Sequence, residues 1–366
     1  MENSLIIPPV SISLIVTDKC TAECLNCCFG CNRSNKNRLT WPEIKGYIEQ
    51  ATDEFSTIKL LVITGGECFT IGQDLDKTIK YASKKGLVVR AITNAFWATT
   101  FKSAYLKLKR LKALGLSELN ISTGEEHQQW VKFDNIIFAL IAAIKLDITV
   151  VVNIETAPSS QFNEKNIYHD IRLKKYNIRS NSNVHILNGK WMYFKMQPNQ
   201  PEVSADKCNK ASNSVINSND RCTSLFRDIV ISSQHRMYAC CGLTCTHIPY
   251  LYIGNTKKYR LSELYRRHFD DFIKIWLFTE GPAKILNYVQ KKLGMEPQDT
   301  SDWHICRSCI ELFKNQDYIN CLKENYKEEL SNVIIKYSLL KQKLTTIYSN
   351  IKCHEKSEET ESQEDR

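Results

Sequence analysis

The sequence has no long hydrophobic run. No apolar stretch in its 366 residues approaches the ~20 residues that a membrane-spanning helix needs. The opening segment, Met1 to Ser4, has neither the basic charge nor the apolar continuation of a secretory signal peptide. We therefore expect a cytoplasmic protein with no membrane partner. Its 43% hydrophobic and 24% charged residues are typical of a globular chain.

A concentrated run of basic residues is also missing. The formal net charge is +9, and the segment from His354 to Arg366 has six acidic and two basic side chains, so the rest of the chain is more basic still. The Lys and Arg residues are spread through amphipathic segments, which favours a solvated basic face over a nucleic-acid surface. Nucleic acid is therefore not the expected partner, and an acidic peptide would suit such a face.

Cysteine, by contrast, is abundant, with fifteen residues in the chain. Because the cytoplasm keeps thiols reduced, disulfides explain this number poorly, and metal binding or redox chemistry explains it better. Most of the cysteines fall into two groups. The first group lies between Cys20 and Cys31, and the second runs from Cys208 to Cys321.

The first half of the chain alternates strand-like and helix-like segments, which predicts an α/β fold with parallel strands. The predicted strands are 11–16, 60–64, 87–93, 118–122, 148–154 and 183–187, and the predicted helices are 41–52, 75–85, 101–114, 135–145 and 164–176. Six such units predict a partial (β/α)6 TIM-like barrel rather than a closed eight-stranded one. In barrels of this kind the functional loops follow the carboxyl ends of the strands, where the first cysteine group lies.

The second half begins with a change of composition. Asn, Ser, Pro and Lys dominate residues 198–221, which predicts a linker. The elements predicted beyond it are a strand at 228–232 with a hairpin partner at 235–242, helices at 261–277 and 282–293, and a long helix at 325–348. We accordingly divide the chain into a barrel domain at 1–200, a cysteine-rich domain at 201–325, and a C-terminal helix with a disordered acidic tail at 326–366.

The first cysteine group contains a CxxxCxxC motif formed by Cys20, Cys24 and Cys27. One loop can place these thiolates on three irons of a four-iron cluster and leave the fourth iron open to an exchangeable ligand. The alternative is a zinc knuckle in which Cys24/Cys27 and Cys28/Cys31 form two CxxC pairs. The loops that follow the next strands favour the cluster.

One of these loops is Gly65, Gly66 and Glu67, directly after the second predicted strand. The glycines allow the backbone to approach a ligand closely, and the carboxylate can accept hydrogen bonds from an ammonium group. A glycine turn with an incidental glutamate is the alternative. The sequence distance between the Gly65–Glu67 loop and the CxxxCxxC motif leaves room for one βα unit, and this spacing favours a ligand site.

With these motifs and Thr93–Ala98 (TNAFWA), the chain resembles the radical S-adenosylmethionine (SAM) superfamily over about residues 10–190. The resemblance implies a [4Fe-4S] cluster held by Cys20, Cys24 and Cys27. It also implies bound SAM, which such a cluster cleaves to give a 5′-deoxyadenosyl radical.

The same resemblance implies roles for the loops. Gly65–Glu67 would hold the amino group of SAM, and Asn94 and Ser122 would line the nucleoside site. The chain departs from the family pattern at Asn26, where an aromatic residue is usual, and at Gly124, where an acidic residue is frequent. These departures concern the cluster motif and the ribose contacts.

The second cysteine group offers four further thiols: Cys222, either Cys240 or Cys241, Cys306 and Cys309. They can complete a second four-iron cluster, or alternatively a structural zinc site. The arrangement resembles the auxiliary-cluster (SPASM or twitch) domain of radical SAM enzymes that modify ribosomally made peptides, which implies one auxiliary [4Fe-4S] cluster in a C-terminal cysteine-rich domain. Three other cysteines would extend this to two clusters, namely Cys208, Cys245 and Cys321.

Cys240 and Cys241 are adjacent in a predicted strand, so their side chains point to opposite sides and only one readily faces a given cluster. The other is free for chemistry or is simply a buried hydrophobic residue. With CCF at Cys27–Phe29 and ACCG at Ala239–Gly242, the whole chain looks most like the epipeptide-type peptide epimerases. By that resemblance Cys240 is the cluster ligand, Cys241 is the catalytic hydrogen donor, and Asp228 helps to hold the peptide backbone.

The implied activity is conversion of L- to D-residues in a ribosomally synthesised peptide, by removal of a Cα hydrogen and return of hydrogen from a thiol on the opposite face. The implied partners are that precursor peptide and an electron donor such as flavodoxin or ferredoxin. Because Ser11 already begins the first strand, we expect no separate leader-binding domain. The alternatives are a radical SAM maturase that forms thioether or carbon–carbon crosslinks and a zinc-stabilised nucleic-acid-binding protein.

Overall fold

The computed structural model describes residues 5–25, 27–156, 160–190, 221–301, 303–344 and 346. Its strands are β1 (Ser11–Ile15), β2 (Leu60–Thr64), β3 (Val88–Thr93), β4 (Glu118–Gly124), β5 (Thr149–Thr156), β6 (Val184–Lys190), β7 (Asp228–Ser232), β8 (Arg236–Tyr238) and β9 (Tyr252–Asn255). Residues 198–220 of the predicted linker at 198–221, and the acidic tail, lie outside the described residues.

The helices alternate with the strands in the first half and follow them in the second. They are α1 (Trp41–Glu54), α2 (Gln73–Lys84), α3 (Phe101–Ala113), α4 (Glu125–Gln128), α5 (Phe133–Lys145), α6 (Glu164–Tyr168), α7 (Leu261–Arg266), α8 (Phe272–Glu280), α9 (Pro282–Lys292), α10 (Ile305–Lys314) and α11 (Gln316–Asn325). A further helix covers residues 330–344.

The strands form one sheet in the order β6-β5-β4-β3-β2-β1-β7-β8-β9. Strands β1 to β6 are parallel, and each lies beside its predecessor along the chain. This arrangement confirms the predicted α/β fold with parallel strands. Within the described residues β6 and β9 are the edge strands, so the sheet is open. The parallel register brings the carboxyl ends of β1 to β6 to the same edge of the sheet, where the loops converge.

Local sequence explains the best-defined elements. Helix α1 begins at a capping box in which the Glu43 carboxylate accepts a hydrogen bond from the backbone N–H of Thr40, 2.9 Å away. Helix α5 is apolar on most of its surface and buries eight of its residues against neighbouring elements. Such burial, more than intrinsic propensity, stabilises helices in a layered fold.

Strand β7 joins the two halves of the chain. It pairs with β1 in parallel, with Ser11 opposite Asp228 and Ile15 opposite Ser232. Strand β8 then pairs with β7 in the antiparallel direction, as the predicted hairpin requires. The cysteine-rich half therefore continues the sheet of the first half rather than starting a new one.

Two predicted helices are interrupted. The one predicted at 164–176 ends at Tyr168, because the Asp170 carboxylate accepts hydrogen bonds from the Arg172 backbone N–H and guanidinium and so stabilises a turn. The one predicted at 261–277 is split into α7 and α8. Asp271 caps the second piece by accepting hydrogen bonds from the backbone N–H groups of Ile273 and Lys274.

The C-terminal helix at 330–344 packs on the beginning of the chain. Val333 and Tyr337 are fully buried, and the Tyr337 hydroxyl donates a hydrogen bond to the backbone carbonyl of Leu5. In the part of the chain that the structure describes, every helix is too short or too polar to span a lipid bilayer.

Candidate active site

A cavity of about 660 Å³, here called the first cavity, opens at the carboxyl ends of the parallel strands. It gathers residues from both halves of the chain. Those of the sequence-predicted site residues that line it are Cys20, Cys24, Cys27, Gly65, Gly66, Asn94, Ser122, Asp228 and Cys241. Cys28, Cys31 and Cys245 line it as well, so contact with this cavity alone does not single out three ligands.

The first cysteine group lies in the loop between β1 and α1, which backbone hydrogen bonds hold in place. The N–H of Cys20 donates to the carbonyl of Asn32 over 2.9 Å. The N–H of Leu25 donates to the Glu126 carboxylate at 3.0 Å, which ties the tip of the loop to α4. A hydrogen bond from the Cys31 thiol lowers the pKa of Cys27 and so favours its thiolate, which is the form of cysteine that binds metals.

Gly65 and Gly66 pack directly against this loop. A Cβ atom at Gly66 would lie 2.3 Å from the carbonyl oxygen of Lys19, and one at Gly65 would lie 2.5 Å from that of Thr17. The backbone N–H of Gly66 donates to that Thr17 carbonyl over 2.7 Å. The glycines are therefore required for contact between two loops, whereas the sequence suggested a close approach to a ligand.

Glu67 differs from the sequence-based expectation in the direction of its side chain. It is 1% exposed and does not line the first cavity. Its carboxylate accepts hydrogen bonds from the backbone N–H groups of Phe69 and Asn94 and from the Thr93 hydroxyl. Burial raises the pKa of Glu67 to about 7. The carboxylate thus faces the loop after β3. The sequence had instead predicted that it contacts the ammonium group of a ligand.

Polar residues that the sequence analysis did not single out complete the cavity wall. His127 and Glu155 form an ion pair with 3.0 Å between Nδ1 and Oε2. Burial lowers the pKa of His127, but the charge and hydrogen bond of Glu155 together with the charges of Cys27 and Glu126 outweigh this effect, so the net change is an increase. Asn153 donates its amide to Asn120 over 2.7 Å. For Asn120, Asn153 and Glu155 the signal in the sequence was a polar side chain within β4 or β5, whereas His127 lies on α4.

A second cavity of about 50 Å³ brings Cys222, Cys240, Cys306 and Cys309 together. A Cβ atom at Gly242 would lie 3.1 Å from the Cys306 sulfur and 3.4 Å from that of Cys240, so glycine leaves room for both thiols. These are the four thiols grouped in the sequence analysis.

One residue of the two-cluster alternative is placed away from both cavities. Cys321 lies on α11 and lines neither cavity, and Cys208 lies outside the described residues. As placed, no group of three or more His, Cys, Asp or Glu side chains among the described residues surrounds a single metal-ion position. In a four-iron cluster each thiolate binds a different iron, so the fit to a cluster depends on convergence around a cavity.

Cys240 and Cys241 face different cavities, although the strand predicted over 235–242 is shorter than expected and β8 ends at Tyr238, before both cysteines. Cys240 lines the second cavity. Cys241 lines the first, and its thiol donates a hydrogen bond to the Asp228 carboxylate over 3.0 Å. The Ser11 hydroxyl donates to the other oxygen of that carboxylate. Burial raises the pKa of Asp228, and burial with the Asp228 charge raises the pKa of Cys241, so the thiol keeps its proton.

The chain has limited sequence similarity to known proteins. No protein-family model matches the chain. A curated relative, "Putative peptide biosynthesis protein YydG" of Bacillus subtilis (strain 168), is 27% identical over 129 residues, which are 34% of this chain and 39% of that protein. The match therefore spans well under half of the relative's length.

Solved structures match over more of the chain. Native anSMEcpe with bound AdoMet has a TM-score of 0.51 at 13% identity, covering 90% of this chain and 99% of that one. Native anSMEcpe with bound AdoMet and the Cp18Cys peptide has a TM-score of 0.50 at 12% identity, covering 91% and 100%. The chain thus shares its fold with a radical SAM enzyme.

Proposed function

We propose that this protein is a radical SAM enzyme that converts L- to D-residues in a ribosomally synthesised peptide. One observation carries the proposal. A single cavity is lined by the CxxxCxxC thiols and, from the other half of the chain, by the protonated thiol of Cys241. The shared fold with AdoMet-bound anSMEcpe and the similarity to a peptide biosynthesis protein support it.

Residues of the first cavity would hold the cofactors. Cys20, Cys24 and Cys27 would bind a [4Fe-4S] cluster, and Gly65, Gly66, Asn94 and Ser122 would surround SAM. When bound, these groups would supply the 5′-deoxyadenosyl radical that removes a hydrogen atom from a peptide Cα. Cys222, Cys240, Cys306 and Cys309 would bind one auxiliary [4Fe-4S] cluster around the second cavity.

Cys241 would then return hydrogen to the peptide. Loss of a Cα hydrogen leaves a planar carbon, and the configuration inverts only if the new hydrogen arrives from the opposite face. The Cys241 thiol donates a hydrogen atom, so its S–H bond breaks while a C–H bond forms. The sulfur radical that remains needs one electron, from a donor such as flavodoxin or ferredoxin, and one proton to become a thiol again.

Asp228 would orient the thiol and return that proton. Its carboxylate accepts the hydrogen bond from Cys241 and is fixed in turn by the Ser11 hydroxyl. The polar wall of the first cavity, including Asn120 and Asn153, offers amide groups to a peptide backbone. These groups suit a peptide that enters as an extended segment, since its N–H and C=O groups are then free to pair.

Cys241→Ala separates the two halves of this reaction. The variant should still form 5′-deoxyadenosine with peptide present, because hydrogen removal does not use the thiol. D-residues should fall below detection, measured by chiral amino-acid analysis. In deuterated water the wild type should place one deuterium at each inverted Cα, because a thiol exchanges its proton with solvent. Cys240→Ala should instead lower the iron content, because it removes a cluster ligand.

Cys321→Ala is the matched control, since Cys321 is a buried thiol that lines neither cavity, and it should act like the wild type. Normal D-residue formation by Cys241→Ala would contradict the proposal. A wild-type product lighter by two hydrogens would indicate a crosslinking maturase. Zinc in place of iron and sulfide after anaerobic purification would indicate the zinc-stabilised protein.

A further inference from the structure

Asn94 lies between the first cysteine group and the loop after β2. Its side chain is buried, and its amide nitrogen is 3.0 Å from the Thr21 hydroxyl oxygen and 3.7 Å from the Cys20 sulfur. Its amide oxygen accepts a hydrogen bond from the backbone N–H of Phe96 at 3.0 Å. Because the oxygen has a backbone donor, the NH₂ group is the part of the amide that faces Thr21 and Cys20.

Glu67 fixes the backbone of the same residue. One carboxylate oxygen accepts from the Asn94 backbone N–H at 2.7 Å, and the other accepts from the Phe69 N–H at 3.1 Å and the Thr93 hydroxyl at 2.8 Å. Both oxygens are thus engaged inside the protein. A buried carboxylate with three donors is costly to move, because each donor would lose its partner.

We infer that Asn94 is a positioning residue whose amide donates a hydrogen bond to the Cys20 sulfur, and that Glu67 acts through Asn94 by fixing its backbone. The inference rests on the proposed function in that Cys20 is a cluster ligand. A hydrogen bond to a ligand sulfur stabilises the reduced, more negative form of a cluster and thereby raises its reduction potential. Glu67 therefore influences the cluster before SAM binds.

Two variants that conserve charge test this inference. Asn94→Ala removes the donor, and Glu67→Asp keeps the charge but is one methylene too short to reach the Asn94 N–H. The midpoint potential of the first cluster is measured by an anaerobic redox titration without SAM, monitored by electron paramagnetic resonance. Its signal is identified as the one that changes when SAM is later added.

Both variants should shift this potential to more negative values, by up to about a tenfold change in the reduction equilibrium, or about 59 mV for one electron. The double variant should shift no further than Asn94→Ala alone, because both changes break the same hydrogen bond. Asn153→Ala is the matched control. It removes an amide from the wall of the same cavity. That amide donates its hydrogen bond to Asn120 and not to a cysteine sulfur, so the potential should not change.

Each result decides the inference. A folded, iron-loaded Asn94→Ala variant with the wild-type potential overturns it, and Asn94→Leu, which also removes the amide but keeps the size of the side chain, provides the same decision if Asn94→Ala does not fold. A Glu67→Asp variant with an unchanged potential but weaker SAM binding overturns the part assigned to Glu67 and indicates direct contact with SAM. A wild-type protein that binds no iron refutes the proposed function instead, which distinguishes the two failures.

Discussion

His268 is a polar residue in the interior of the cysteine-rich half. Its side chain is fully buried, and neither ring nitrogen has a hydrogen-bond partner within the described residues. Its neighbours are aromatic, with the Phe226 ring at 5.7 Å and the Tyr265 ring at 5.2 Å. Burial, together with the Lys274 charge, lowers the pKa of His268 to about 3. The imidazole therefore stays neutral in the folded protein.

His268→Phe should stabilise the fold. An aromatic ring of similar shape removes two unpaired polar atoms, and we expect the free energy of unfolding to rise by about 1 kcal/mol at pH 8. The gain should increase by about 1 kcal/mol at pH 5.5. Below pH 6.5 the unfolded wild type binds a proton at His268 while the folded state does not until about pH 3, so wild-type stability falls as pH falls.

Denaturant unfolding at the two pH values measures this effect. His185→Phe, at an exposed position, is the control and should not raise the free energy of unfolding at pH 8. A His268→Phe variant whose advantage is the same at both pH values would mean that His268 does not titrate differently in the folded and unfolded states.

At the scale of elements, the break between α7 and α8 was not visible in the sequence. Residues 261–277 have a helical pattern throughout, which predicts one helix. In the structure the Asp271 carboxylate caps the N-terminus of α8, so a second helix begins there. The same carboxylate accepts a hydrogen bond from the Tyr250 hydroxyl at 2.6 Å and forms an ion pair with the buried Lys274 ammonium. The helix begins where these three groups meet.

Asp271→Ala should cost more stability than the loss of a cap alone. The cap contributes about 1 kcal/mol, and leaving a buried ammonium unpaired adds a similar or larger cost, so we expect a loss of about 2 to 4 kcal/mol. Asn315→Ala is the matched control. Asn315 caps α11 through one backbone contact, and its loss should cost about 1 kcal/mol. Equal losses in denaturant unfolding would contradict this account of Asp271.

At the scale of the whole molecule, the two halves share one sheet and one core. Strand β1 has β2 on one side and β7 on the other, so its backbone is fully paired only when both halves are present. The hydroxyl of the buried Tyr265 donates to the carbonyls of Ile7 and Phe226, at 2.8 Å and 2.9 Å. The beginning of the chain is therefore covered by its second half.

A fragment of residues 1–200, the barrel domain predicted from the sequence, should not fold by itself. It would expose the unpaired edge of β1 and the apolar residues that α7 covers, such as Phe55 beside Tyr265, and both promote aggregation. Size-exclusion chromatography and thermal unfolding monitored by circular dichroism test this. A chain ending at residue 348, which loses only the tail that the sequence predicts to be disordered, is the control. A soluble fragment with cooperative unfolding would contradict the prediction.

Local pattern in the sequence was sufficient for the helices and strands of the α/β fold, the CxxxCxxC motif and the loops at the strand ends. These features depend on spacing within about ten residues, where periodicity and glycine placement act directly on the backbone. The alternation of side chains along a strand was likewise enough to expect that Cys240 and Cys241 face different sides.

Only the tertiary structure decided which distant residues meet. Pairing of β7 with β1 joins Ser11 to Asp228, and with them Cys241 enters the cavity of the first cysteine group. Only the fold showed that Glu67 faces Asn94. Hydrogen bonds between segments far apart along the chain produce no local periodicity in the sequence, because their geometry depends on how whole strands pack. The residues next to either partner therefore do not predict them.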